Sequence, residues 1–190
     1  PNIDGITISF LPNKQNEFLS FISGKLDFLS SIDPAFKDNL LTRQGNIKSG
    51  YKGKFRFIKT PFLNTEYLGF YVDSTQPNSP VKNKLFRQAI NLAIDKKKMM
   101  SYLRNNIGKP GTMGFVPPSL LPIQNVEQEF NPAKAKELLA QANYKGEELA
   151  LYTTNNYIDL AVFVQQQLKE VGVKLKIENV LPALLAQMKS

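Results

Sequence analysis

The chain has 190 residues, 42% of them hydrophobic, and a formal net charge of +8; that is enough for one sizeable core or two small ones and is ordinary for a globular protein. It contains no histidine and no cysteine, which removes the commonest general base, the thiol nucleophile, disulfide scaffolds and nearly all zinc-site patterns. No apolar run approaches membrane-spanning length, and the start at Pro1, without a basic-then-apolar leader, leaves any targeting segment removed or outside these residues.

In chain order, Ile6, Ile8 and Phe10 alternate with Thr7 and Ser9 and predict a strand ending at Pro12. Asn13 can cap a helix running to about Ser23, with Phe18, Leu19 and Ile22 inward and Gly24 at its stop. Leu26 to Leu29 reads as a short buried strand, Pro34 to Thr42 as a second helix, and Gly45 to Gly53 as a glycine-rich turn region. Phe55 to Lys59 and Tyr67 to Val72 read as strands around Pro61, and residues 73–82 as a proline-containing connector. Phe86, Ala89, Ile90, Ala93 and Ile94 form a helical stripe; Asp95 then caps a second helix through Met99, Met100 and Leu103. Gly108 to Pro122 holds three glycines and four prolines, too much punctuation for regular structure. Asn131 and Pro132 start a helix that carries Ala135, Leu138, Leu139 and Ala142, and Leu184 to Met188 lies in a last helix.

Between those two helices sits the most informative stretch. Glu148 to Tyr152 predicts a strand; Ile158, Ala161, Val164, Leu168 and Val171 recur at steps of three and four; Gly172 stops that helix. Val173, Leu175 and Ile177 then alternate with Lys174, Lys176 and Glu178 as a second strand. Two strands joined by a helix pair in parallel with a right-handed crossover, which puts the polar corner Thr153, Thr154, Asn155, Asn156, Tyr157 at the carboxyl end of the first. Open α/β sheets bind ligands at such ends. The same residues are also good helix caps, so composition alone leaves capping and ligand contact both open. A corner of this kind offers free backbone N–H groups suited to a carboxylate.

The net charge raises the question of nucleic acid, since clustered cations gain affinity by releasing counterions. The densest patch, Lys52, Lys54 and Arg56 interleaved with Phe55 and Phe57, reads better as the solvated face of a half-buried strand. Lys96, Lys97 and Lys98 read as a solvated helix face. The glycines of GKPGTMG match no phosphate loop or dinucleotide turn. The acid pairs Glu127/Glu129 and Glu147/Glu148 are adjacent in sequence without the cross-cleft separation that paired carboxylate catalysis needs.

Taken in order, YLGFYVD, LFRQAINLAIDKKKMM, FVPPSLLP, FNPAKAKELLAQANY, LALYTTNN and FVQQQLKEVGVKLKIEN resemble the extracytoplasmic solute-binding proteins of peptide ABC importers, the dipeptide and oligopeptide binding family. ISGKLDF near the start is similar to that family's glycine-any-any-aspartate segment. The resemblance implies an α/β fold, an interior fragment of a two-lobe periplasmic-binding-protein-like architecture with a mixed sheet and flanking helices. Residues 1–65 would end the first lobe and residues 66–190 form most of the second. It implies no catalysis and no cofactor or metal. The implied partners are a peptide ligand and the membrane permease, with no nucleic acid; the location is periplasmic or at the cell surface, with membrane attachment only through a lipid anchor outside this chain, and the state monomeric.

In relatives the corner corresponding to Thr153–Tyr157 and the loop around Phe115 and Pro117 face the ligand cleft, which tips the corner toward ligand contact. The aspartate that holds the ligand's amine falls after the last helix here and is expected outside this chain. Tyr71 stands where the family usually has asparagine, so a backbone-positioning contact is lost or replaced. Arg87 and Asp95 match family positions and read as an ion-pairing arginine and a helix cap. A member repurposed for a non-peptide solute such as chelated nickel, or for signalling, is the alternative; a basic nucleic-acid module is a lesser one.

Overall fold

A computed structural model of the chain describes residues 2–11, 13–60, 62–73, 77–112, 114–117, 120 and 129–189. Glu127, Pro118 and the stretch from Leu121 to Pro122 named above lie outside the described residues. The chain divides into two compact units. The first comprises residues 1–59 with 104–107; the second comprises residues 60–103 with 108–190.

In the first unit, α1 (Lys14–Ile22) begins where expected, with the Asn13 side chain accepting from the Asn16 N–H at 2.8 Å. Gly24 takes φ +75° at its end. The second helix is shorter than its sequence window: α2 covers only Lys37–Leu40, because the Asp33 carboxylate turns the preceding chain by accepting from the Ala35 N–H. Leu41 bridges Ile47 across the 42–46 turn. The core gathers Phe18, Leu40 and Leu41 against Phe36, Phe55, Phe57 and Ile107, with Phe18 stacked on Phe36 at 4.6 Å.

One polar residue holds this unit closed. Asn105 is 1% exposed, and its Nδ2 donates to the Asp38 carboxylate and to the Thr42 carbonyl, both at 2.9 Å. Two acceptors facing one amide fix which end is nitrogen, since the flipped amide would set oxygen against oxygen. Asn106 Nδ2 donates to the Arg43 carbonyl at 2.9 Å. Both asparagines adopt positive φ, +48° and +57°, a conformation asparagine tolerates better than most residues. The close approach needs Gly45: a Cβ there would fall 2.7 Å from the Asn105 carbonyl oxygen.

In the second unit, α3 (Lys84–Leu92) starts on Asn83, whose side chain accepts from the Leu85 N–H. Phe86, Ala89, Ile90, Ala93 and Ile94 are all buried. They pack on Ala135 and Leu139 of α5 (Pro132–Gln141) and on Val164 and Leu168 of α6 (Ile158–Glu170). α4 (Lys96–Leu103) is capped as expected: the Lys98 N–H donates to Asp95 Oδ1 at 2.8 Å. The sheet is β1 (Glu148–Thr153) paired in parallel with β2 (Lys174–Asn179), Glu148 opposite Lys174 and Thr153 opposite Asn179. Gly172, at φ +88°, makes the turn out of α6. α7 (Pro182–Lys189) ends the described chain.

Four expected strands are not formed. Ile6–Phe10, Leu26–Leu29, Phe55–Lys59 and Tyr67–Val72 carry no ladder among the described residues, since a strand exists only through a partner. Two charge readings also change. Arg87 makes no ion pair among its described contacts; it donates to the Val81 and Lys82 carbonyls at 2.7 and 2.9 Å and closes the 3₁₀ turn before α3. Lys96 is not a solvated lysine: it is half-buried, donates to Asn91 Oδ1 at 2.8 Å, and burial lowers its pKa.

The Asn105 contacts yield two expectations. Asn105→Ala removes the donor to Thr42 and places alanine at positive φ, which should cost about 2 kcal/mol; urea unfolding followed on amide NMR signals of the first unit measures it. The Asp38 carboxyl is held below its ordinary value of 3.8, first by the hydrogen bond from Lys37 and then by that from Asn105. A depressed folded value gives stability that is present above pH 3.8 and is lost as pH falls through the folded value. Protection of the Asn105–Ile107 amides, taken relative to their intrinsic exchange rates, should therefore fall in acid, and fall less in Asp38→Asn.

Candidate functional site

The corner between β1 and α6 is built by the crossover itself. β1 delivers the chain at Thr153, a 3₁₀ turn spans Asn155–Tyr157, and α6 begins at Ile158. The Tyr157 N–H donates to the Thr154 carbonyl at 2.9 Å, and the Val180 N–H donates to the Thr153 carbonyl at 2.8 Å, carrying the ladder past the end of β2. Asn179 Nδ2 donates to Asn155 Oδ1 at 2.5 Å. The carboxyl ends of both strands are thus tied together by one amide pair.

The side chains of the corner divide into two groups. Thr153 and Thr154 are buried, whereas Asn155, Asn156 and Tyr157 are exposed. None of the five caps α6 through its side chain: the N-cap position is Tyr157, with no side-chain hydrogen bond to the first turn. The capping explanation of the composition therefore falls away. The first turn instead carries Asp159, whose carboxylate accepts from the Leu160 N–H at 2.8 Å. An acidic side chain already occupies the positive end of the helix dipole. A ligand carboxylate would meet like charge there, so the corner suits neutral amide groups better.

Phe115 stands in the proline-rich loop, 64% exposed, with its ring edge-on to Tyr67 at 4.9 Å between centroids; Tyr67 is 66% exposed. Pro117 is half-buried, its carbonyl accepting from the Leu120 N–H. Among the described residues, no hydrogen bond or ring contact joins Phe115 or Pro117 to the corner. Two open depressions of about 300 and 320 Å³ occur elsewhere in this unit, one beside Asp95, Lys96 and Phe130 and the other between Pro77–Asn83 and Ala142–Glu147. Neither is lined by a corner residue. Among the described residues no group of three or more acidic side chains could hold a metal ion.

Asn179 and Tyr67 are the residues that sequence reasoning passed over. The signal for Asn179 was present: parallel strands of equal length end together, so the residue opposite Thr153 must share the corner.

Residues 1–189 match the family described as bacterial extracellular solute-binding proteins, family 5, middle portion. The chain belongs to this family. The glutathione-binding protein GsiB of Salmonella typhimurium is 29% identical over 182 residues, covering 93% of this chain and 33% of that protein. The chain therefore spans about a third of the length of the curated relatives it matches. The oligopeptide-binding protein AppA of Bacillus subtilis, solved with a nonapeptide, superposes with a TM-score of 0.70 at 22% identity over 93% of this chain and 36% of that one. NikA of Brucella suis, solved with Fe(III)-EDTA, gives 0.66 at 19% over 93% of this chain and 37% of that one. The fold is accordingly an α/β portion of the two-lobe binding-protein architecture. Family membership carries an extracytoplasmic location, and no described helix is long and apolar enough to cross a membrane.

The amide pair gives a direct test of bridge against cap. Asn155→Ala should leave exchange at the Ile158–Leu160 amides unchanged, because no cap is lost, while the Asn179 side-chain NH₂ signals shift to solvent values. The stability cost should stay below about 1 kcal/mol for an exposed neutral bond.

Proposed function

We propose that this chain belongs to the substrate-binding subunit of an ABC importer that encloses peptides between two lobes and hands them to a membrane permease, with residues 1–65 from the first lobe and residues 66–190 from the second. The observation that carries the reading is the family match over residues 1–189 combined with an exposed amide-rich corner at the carboxyl end of β1. Asn155, Asn156 and Tyr157 supply donors and acceptors at the end of a parallel pair, where α/β proteins hold ligands. Peptide main-chain groups are neutral and hydrogen-bonding, which fits a corner whose helix end already bears Asp159. Thr153 and Thr154, being buried, support the corner from beneath; Phe115 and Pro117 are proposed as the apolar side of the same cleft.

A non-peptide solute is the second reading, favoured by the relative named for glutathione and the structure holding a metal chelate. The chain has no histidine and no cysteine, so a metal would have to arrive with its own ligands.

Calorimetry on the family-length protein, with a mixed library of two- to five-residue peptides, glutathione and an EDTA–metal chelate as separate titrants, discriminates these readings. Peptide binding that weakens in Asn155→Ala and Tyr157→Ala, with unchanged unfolding midpoints, supports the proposal. Equal affinity in both variants would remove the corner from the site. The 190-residue chain alone should bind the same peptides weakly or not measurably, because one wall leaves the ligand's polar groups hydrated and its apolar groups half exposed.

A further inference from the structure

Among the described residues, Asn155 is the exposed corner side chain that another side chain holds: its Oδ1 accepts from Asn179 Nδ2 at 2.5 Å. The two asparagines come from elements of unequal rigidity. Asn155 opens a 3₁₀ turn, whereas Asn179 is the last residue of β2 and lies opposite Thr153 in the parallel register. β2 is fixed by two neighbours. The Val180 N–H donates to the Thr153 carbonyl at 2.8 Å, and Gln165 Nε2 of α6 donates to the Leu175 carbonyl at 2.7 Å. The strand therefore sets where the amide on the turn points, rather than the reverse.

Neither stability nor capping accounts for this bond. Both asparagines are exposed, where a neutral hydrogen bond exchanged with water contributes little to folding, and α6 has no side-chain cap. What the bond does is select one end of an amide. With Oδ1 engaged by Asn179, Nδ2 is the group that the Asn155 side chain has left to offer, and among the described residues it has no acceptor. A donor held in one orientation meets a ligand oxygen without first losing its own rotational freedom, which is how preorganisation strengthens binding. We infer that Asn179 is a positioning residue of the ligand site, turning the Asn155 amide so that Nδ2 donates to a peptide-bond carbonyl of the bound solute. Every peptide carries that acceptor whatever its side chains, so the contact serves main-chain recognition.

The inference rests on the reading of the corner as part of the ligand site, and its test separates the two. Calorimetry on the family-length protein, titrated with the peptide library and with glutathione, is run as a double-mutant cycle. Asn179→Ala should weaken binding about 5- to 10-fold on its own and change nothing further in Asn155→Ala, because it acts only through that amide. In Asn179→Asp the new side chain only accepts, so Asn155 must turn Nδ2 inward to keep the pair. Affinity should then fall at least as far, measured at about 0.5 M NaCl, where exposed charge is screened. Before any ligand is added, Asn179→Ala should move the Asn155 side-chain NH₂ signals toward free-asparagine values while the unfolding midpoint stays in place; unmoved signals would overturn the inference whatever the protein binds. Weakened binding in Asn155→Ala with none lost in Asn179→Ala would overturn it and leave the peptide reading standing. So would full affinity in Asn179→Asp, or equal losses from Asn179→Ala in both backgrounds. Coupling that disappears when the peptide C-termini are amidated would also overturn it, by making a carboxylate the partner. The same coupling for glutathione, in a protein that ignores the library, would support the inference and overturn the general peptide reading. Unchanged affinity in every variant would overturn both.

Discussion

Parallel strands cannot be joined by a tight turn, and the second unit is organised around that constraint. Once β1 and β2 pair in parallel, the chain must climb back along the sheet, and α6 is the return path. The helix earns its place through Val164 and Leu168, which reach the same core as Phe86 and Ile90 of α3. Gln167, buried on the same helix, accepts from the Asp95 N–H at 3.2 Å and links α6 to the start of α4. A crossover of this kind produces two corners that differ in chemistry. The one leaving the helix is a glycine turn, while the one entering it is polar and partly exposed, and both strands end beside it.

The composition of that entering corner left capping and ligand contact both open, and the structure bears on the first of these. Threonine and asparagine before a helix suggest caps, but the first turn is reached through a 3₁₀ turn, which rotates Asn155 away from the helix and toward Asn179. The helix end is neutralised by Asp159 instead. The exchange leaves Asn156 and Tyr157 on the surface beside an acidic first turn.

Helices and their caps were legible in the sequence because their determinants are local. Asn13, Asp95 and Asn131 each accept the backbone N–H that their position implies, and Asn83, which the sequence reading did not single out, does the same. Strands were legible only where both partners are present, as in β1 and β2. Alternation reports which side chains share a face and says nothing of whether a neighbour exists. Lys54 and Arg56 are exposed and Phe55 and Phe57 half-buried without any ladder, so the facial pattern survived while the strand did not. Arg87 and Asn105 were illegible for another reason. Their partners lie on turns or on segments far along the chain, with Asn105 reaching back to Asp38 and Thr42, and no local pattern encodes such contacts.

Part of the positive charge that raised the question of nucleic acid has local partners. Lys14 pairs with Glu17, Lys37 with Asp38, Lys134 with Glu137 and Lys176 with Glu178, all between 2.6 and 2.7 Å. Lys54, Lys59 and Lys98 stand over the rings of Tyr51, Phe57 and Tyr102 at 5.8 to 5.9 Å, and Lys96 is turned inward onto Asn91. Exposed pairs of this kind contribute little to stability. They do, however, divide the charge among many small neighbourhoods on separate elements, whereas tracking a phosphate backbone requires cations aligned on one face with bases to stack between them. A net positive surface of this kind gives a bulk attraction for anionic solutes.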